Sequence, residues 1–168
     1  VASMILLDSH DTPRFGTIVS GDKAKHTAAM TMLMTYPGVP SVFMGDELGF
    51  EGNSGEDARR TINWEDRSSW DTTFFEEVKK LAKLRRTDDA FINGGLRWVT
   101  AEDNYLAYLR ESKKSKVLVV IAAKPCIVDI DLSKLGYKVS KTLYGQKAIG
   151  SKIKFKTNGA TQGIWKLS

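Results

Sequence analysis

The chain begins with an apolar run, Met4-Ile5-Leu6-Leu7, that stops abruptly at Asp8 and continues into His10-Asp11. Unbroken apolar runs of this kind suit strands buried on both faces, as in a parallel sheet. The pattern predicts a strand over about Met4 to Leu7, then a loop from Asp8 to Gly21 in which Pro13 and Gly16 interrupt any regular period. A helix is predicted over about Asp22 to Tyr36. Asp22 would be its N-cap and Pro37-Gly38 its stop, with Ala28, Ala29, Met32, Leu33 and Tyr36 as an apolar stripe at helical spacing. A second apolar strand, about Ser41 to Met44, runs into Gly45-Asp46-Glu47. The loop that follows, to about Thr72, is long, and loops of that length in compact domains usually carry function. Thr73 to Thr87 reads as a second helix opened by a Thr73/Glu76 capping pair. Phe74, Val78, Leu81, Ala82 and Arg85 mark one side of it, and its basic end suits the helix dipole.

The period changes near Phe91 to Gly95. Beyond that point the pattern predicts only short strands: 96–100, 105–110, 116–122, 127–132, 140–144, 152–156 and 163–167. Val128, Ile130 and Leu132 alternate with Asp129 and Asp131, and Lys152, Lys154 and Lys156 alternate with Ile153 and Phe155, so each segment has one wet and one dry face. Gly136, Gly145, Gly150 and Asn158-Gly159 supply the turns. Strand, helix, strand, helix, then seven short strands make an α/β part over 1–90 and an all-β part over 91–168, the latter an antiparallel β-sandwich.

Composition narrows the function classes. A 42% hydrophobic and 27% charged chain fits a globular protein, and no apolar run approaches the roughly 20 residues of a membrane helix. The net charge of +5 comes largely from lysines in the second half that read as wet strand faces, so neither nucleic acid nor a membrane surface is an expected partner. The chain opens in mid-strand at Val1 with no basic leader, and is expected to be a piece of a longer protein. Cys126 excludes an internal disulfide and is expected as a buried thiol, compatible with a reducing, cytoplasmic setting.

Two buried strands that each end in acid, with a helix between them, place polar chemistry at the open end of a sheet. His10 and Asp11 hold one such end, Asp46 and Glu47 the other. The rival reading of the first pair is a turn cap and a satisfied buried donor. Glu51-Gly52-Asn53-Ser54-Gly55-Glu56-Asp57 invites calcium but puts Glu56 where an EF-hand needs glycine, and with only two histidines no other metal site is indicated. No glycine-rich phosphate loop and no papain-like dyad is present.

Three segments carry a family resemblance. Leu6 to Phe15 resembles the strand-7 segment of the α-amylase family, glycoside hydrolase family 13. Gly38 to Gly49 resembles its strand-8 segment, a Gly-x-Pro, an aromatic-bearing strand and Gly-Asp-Glu. Arg59-Arg60-Thr61-Ile62-Asn63-Trp64 resembles the Arg-to-Trp stretch after it. The resemblance covers roughly residues 1 to 90; residues 91–168 match only in position and general pattern. It implies the last β/α units (β7-α7-β8-α8) of a TIM (β/α)8 barrel, which needs eight strands and typically about 250 residues, followed by a C-terminal β-sandwich. It implies a retaining glycosidase acting on α-glucans or maltooligosaccharides. Asp11 would be the family's third carboxylate, a catalytic group that grips the sugar at the cleavage point, and His10 the histidine on the same ring. Arg59 and Arg60 would be candidates to bind substrate, or else to pair with Glu56 or Asp57; the acidic residue that many relatives carry four positions before the arginine is Gly55 for Arg59 and Glu56 for Arg60. Asp46 and Glu47 would support the loop and rim, and Arg14 would pair with a nearby acid. Phe15 and Phe50 are candidates to wall the site; Trp64 and Trp70 could stack on sugar faces, but they, like Trp98 and Trp165, are expected in cores. The nucleophile and acid/base would lie on earlier strands, so the chain alone should be inactive. No cofactor is implied; the family allows calcium elsewhere in the parent. A same-clan glucanotransferase or isomerase is one alternative, and a non-catalytic carbohydrate-binding or interaction module another. A metal phosphohydrolase fits poorly, because its His-Asp pair lies on a helix. A truncated barrel should expose apolar edges and self-associate.

Overall fold

A computed structural model describes residues 3–53 and 55–168. The chain divides into two compact units, one of residues 1–34 and 38–82, the other of residues 35–37 and 83–168. The first unit opens on β1 (Met4–Ile5) and a one-turn helix α1 (Phe15–Ile18). Helix α2 (Lys23–Thr35), β2 (Val39–Pro40), two 3-10 turns (Asp46–Leu48 and Gly55–Arg59) and α3 (Thr72–Thr87) follow, with Thr35 and the end of α3 from residue 83 counted in the second unit.

Strands β1 and β2 pair in parallel. The ladder uses the Val39 and Ser41 N–H groups, which donate to Ser3 O (2.9 Å) and Ile5 O (2.8 Å). Pro40, between them, is at a position whose missing N–H the ladder does not need. Both strands are shorter than the apolar runs predict, and β2 precedes Ser41–Met44 rather than covering it. Leu6, Leu7, Val42 and Phe43 have the composition of a strand but no ladder partner among the described residues, and regular strand needs a hydrogen-bonded neighbour. The predicted loop 8–21 contains α1, where Gly16 is needed because any Cβ there would come within 2.7 Å of Phe50 O.

Asp22 caps α2 as expected, accepting the Lys25 N–H at 3.1 Å. The stripe of α2 is wider than predicted: Met30, Thr31, Met34 and Thr35 are buried along with Ala28 and Leu33. A helix buried on most of its circumference carries no clean amphipathic signal. Helix α3 starts one residue early, so Asp71 rather than Thr73 is its cap, accepting the Phe74 N–H at 2.8 Å. Glu76 instead pairs with Lys79. Phe74, Val78 and Leu81 form the buried side.

In the second unit a short helix α4 (Asp89–Asn93), not anticipated, precedes seven strands: β3 (Gly95–Ala101), β4 (Tyr105–Glu111), β5 (Lys116–Ala122), β6 (Cys126–Asp131), β7 (Val139–Gly145), β8 (Lys152–Thr157) and β9 (Thr161–Leu167). One antiparallel sheet runs β3-β4-β5-β9-β7, and β6 pairs antiparallel with β8. Ala107, Leu109, Leu118, Val120 and Trp165 from the first sheet share one core with Val128, Ile130 and Ile153 from the second. The alternation read in β6 and β8 is what delivers those residues inward. Two expectations fail: Trp98 is 46% exposed, and Cys126 is only partly buried at the core's margin, where burial raises its thiol pKa.

Arg110 is the buried cation of this unit. Its guanidinium donates to the carbonyls of Gly95 (3.2 Å), Phe91 (3.3 Å), Gly94 (2.8 Å) and Thr35. Burial lowers its pKa to about 10. Beside it the buried Tyr108 hydroxyl bonds to Thr35 Oγ1. No described helix is long and apolar enough to cross a membrane.

Candidate active site

Past β1 the chain makes a tight turn. Thr12 N–H donates to Ser9 O (3.2 Å), Ser9 N–H to Thr12 Oγ1 (3.0 Å) and Asp11 N–H to Ser9 Oγ (3.2 Å). The turn lifts His10 and Asp11 into solvent, with the Asp11 side chain 69% exposed. His10 Nε2 lies 3.3 Å from one Asp11 oxygen, and Arg59 Nη2 lies 3.7 Å from the other. Arg59 also donates from Nε to His10 O (3.1 Å) and reaches Glu56 at 3.7 Å. His10, Asp11 and Arg59 therefore converge although 49 residues separate His10 from Arg59. Arg60 does not join them; it pairs with Asp57, which also accepts the Asn53 N–H at 2.6 Å. A carboxylate, an imidazole and a guanidinium held loosely at one exposed turn can bind several hydroxyls of one ligand and set a negative charge against developing positive charge.

The flanks of the turn are buried and pinned. Asp8 accepts the Phe15 N–H at 2.6 Å. Arg14 donates to Asp46 Oδ1 (3.1 Å) and Ala58 O (2.7 Å), its backbone N–H to Gly52 O (2.9 Å), and its guanidinium lies 3.8 Å from the centre of the Phe43 ring. Burial holds the Asp46 carboxyl up, to about 8, helped by its hydrogen bond with Asp8 and opposed by Arg14. Asp46, only 2% exposed, is thus a buried support beneath the turn's anchors rather than an acid open to solvent. Glu47 likewise turns inward on its own loop, accepting the Gly45 N–H at 2.9 Å.

Sequence reasoning overlooked Asp8 and His26. The signal for Asp8 was a carboxyl closing an otherwise apolar run. His26, 1% exposed, packs between Phe74 (4.4 Å between ring centres) and Phe15 (5.4 Å). Desolvation, then Lys23, lowers the His26 pKa to about 4. The folded protein keeps His26 neutral while the unfolded chain protonates near 6.5. Its contribution to stability is complete above about pH 6.5 and fades as pH falls toward 4, by at most about 3 kcal/mol. Asp46 acts with the opposite sign, losing stability as pH rises toward 8. Thermal melts of His26→Leu against the parent chain between pH 4 and 7 isolate the first effect: the variant is expected to lose less stability on the acid side, and parallel profiles would contradict the assignment.

Trp64 is 65% exposed and meets Trp70 edge-on, 5.5 Å between ring centres, so the expectation that it is buried fails. Phe50 packs under Gly45, where a Cβ would come within 2.6 Å of its ring. Among the described residues no group of three His, Cys, Asp or Glu side chains could hold a metal ion; Ser54 of the acidic loop lies outside them.

Residues 1–61 match the family model of the α-amylase catalytic domain. A cyclomaltodextrinase from a Bacillus species is 37% identical over 118 residues, 69% of this chain and 21% of that protein. A maltogenic α-amylase from Bacillus acidopullulyticus is 27% identical over 166 residues, 94% of this chain and 28% of that protein. Among solved structures, the native debranching enzyme of Nostoc punctiforme superposes with a TM-score of 0.83 at 26% identity, covering 98% of this chain and 35% of that one. The chain thus spans from about a fifth to just over a third of the length of these relatives. On the family-model match and these relatives, the chain belongs to the α-amylase family, glycoside hydrolase family 13.

Proposed function

We propose that this chain is the C-terminal part of a retaining glycosidase that hydrolyses α-glucosidic bonds in starch-like glucans or maltooligosaccharides. Residues 1–90 are the last β/α units of its barrel and residues 91–168 its C-terminal β-sandwich. The observation that carries this reading is the convergence of His10, Asp11 and Arg59 at the turn beyond β1. Cleavage of a glycosidic bond gathers positive charge on the sugar ring in an oxocarbenium-like transition state. Asp11 is the negative charge beside that ring, binding its hydroxyls and favouring its flattened form. His10 donates to the same ring, and Arg59 orients Asp11 while remaining open enough to take a hydroxyl itself. Arg60, tied to Asp57, has no part in this contact. The bond-breaking pair, a nucleophilic carboxylate and an acid/base, belongs to earlier strands of such a barrel.

The purified 168-residue chain is therefore expected to release no reducing sugar from maltoheptaose. It is also expected to sediment faster than an 18.7 kDa monomer, because Met4, Leu6, Val39 and Met44 are exposed around β1 and β2. Measurable hydrolysis would refute the division of catalytic labour, and a strictly monomeric boundary would refute the open barrel edge.

A further inference from the structure

We propose that the turn carrying Trp64 and Trp70, with the cleft beside it, is a second glucan-binding site that shares no side chain with His10, Asp11 and Arg59. The choice of an α-linked glucan as ligand rests on the function proposed above; the aromatic platform itself does not.

The turn is fastened from within. Asn63 Oδ1 accepts the N–H groups of Glu65 (3.1 Å) and Asp66 (3.0 Å), and Asp66 Oδ1 accepts that of Ser68 (2.9 Å). The Trp70 N–H donates to Arg67 O (3.1 Å) and its indole N–H to Asn63 O (3.2 Å). The Arg67 guanidinium sits 4.9 Å from the centre of the Trp70 ring. Trp70 is thereby fixed, and its ring meets that of Trp64 at an interplanar angle of 83°, leaving Trp64 two-thirds exposed. Exposing an indole sacrifices burial of its large apolar surface. Five hydrogen bonds that hold the turn around it give preorganisation, which lowers the entropy lost when a ligand binds.

The cleft fits the same ligand. It measures about 330 Å³, and its walls include Phe50, Glu51, Arg60, Thr61, Asn63 and Ser69. Asn63 and Ser69 come from the turn itself, so platform and cleft are contiguous. A pyranose presents a flat face of C–H groups and a rim of hydroxyls. An exposed indole beside amide, hydroxyl, carboxylate and guanidinium groups answers both, and the volume falls at the lower end of small-ligand sites (about 300–1,000 Å³), enough for a short stretch of chain rather than a long one.

The chain has four tryptophans, so ¹⁵N-labelled indole signals, assigned through single Trp→Phe variants, give a direct test. On titration with maltoheptaose the Trp64 and Trp70 signals are expected to shift saturably, with Kd on the order of 1 mM, while that of the buried Trp165 stays in place. Trp64→Ala is expected to weaken binding at least about tenfold with the Trp165 signal unmoved, and Trp64→Tyr to restore most of it. The Kd read from the Trp64 signal is expected to stay within about twofold in Asp11→Asn, whose side chain contributes nothing to this platform. An unresponsive Trp64 signal, unchanged affinity in Trp64→Ala, or cellohexaose binding as tightly as maltoheptaose would overturn the proposal. Loss of binding in Asp11→Asn with Trp64→Ala unaffected would overturn it too, while leaving the role of Asp11 standing.

Discussion

In an enzyme that carries this chain as its C-terminal part, Asp11→Asn is expected to lower kcat on maltooligosaccharides by about 10²- to 10³-fold, the loss typical when one preorganised electrostatic contact to a transition state is removed. Asparagine keeps the shape and can still accept and donate hydrogen bonds, so ground-state binding should change far less than turnover. What disappears is the negative charge opposite the oxocarbenium-like ring. The fold should be indifferent, because the Asp11 side chain is 69% exposed and its ion pair with Arg59, at 3.7 Å, is loose and solvent-screened. Steady-state kinetics and a thermal melt on the same protein decide the matter. A near-normal kcat would remove Asp11 from the chemistry, and a large fall in melting temperature would recast it as structural.

The largest stability effect is expected from Arg14→Met. Arg14 is 1% exposed and meets a buried carboxyl, a backbone carbonyl and an aromatic face. Methionine fills much of the volume but takes the guanidinium donors away from Asp46 and Ala58 O in a desolvated setting. Removing one member of a buried ion pair typically costs about 3–5 kcal/mol. The defect should also depend on pH. With its counter-charge gone, Asp46 would be harder to ionise than in the parent, where its pKa is already about 8. A raised carboxyl pKa stabilises the fold below it and costs stability as pH climbs through it. Denaturant melts should therefore show the gap between variant and parent widening above about pH 8. A cost below about 1 kcal/mol at every pH would mean that the turn is held by Asp8 and the backbone alone.

How much of this was legible beforehand varied with the range of the interaction. Val128-Asp129-Ile130-Asp131 and Lys152 to Lys156 declare their faces through a period of two that depends only on neighbours in sequence. Strands β4 to β9 were accordingly placed within about two residues. Strand β2 was misplaced because its position follows from pairing with Ser3 and Ile5, which local pattern does not encode. His10 and Asp11 were legible as polar residues ending an apolar run. Which arginine would meet them was not: Arg59 and Arg60 differ by one position, and only the 3-10 turn Gly55–Arg59 sends one toward His10 and the other toward Asp57. The carboxyl partner of Arg14 lies 32 residues on, and the burial that raises the Asp46 pKa has no signature in a Gly-Asp-Glu triplet. Trp64 was misjudged because tryptophan is usually buried; its exposure follows from a turn whose hydrogen bonds leave it outside.

Arg110 bears on any attempt to exchange the β-rich part between relatives. Its four acceptors are carbonyls at positions 35, 91, 94 and 95, and Tyr108 beside it depends on Thr35. A graft cut at residue 91 would carry the guanidinium and the phenol into their new host without Thr35, and would also part Lys166 from Asp88, 2.8 Å away. Recombination between homologues should succeed only where the seam respects these carbonyls, so the transferable module is defined by what its buried arginine must touch, not by where its strands begin.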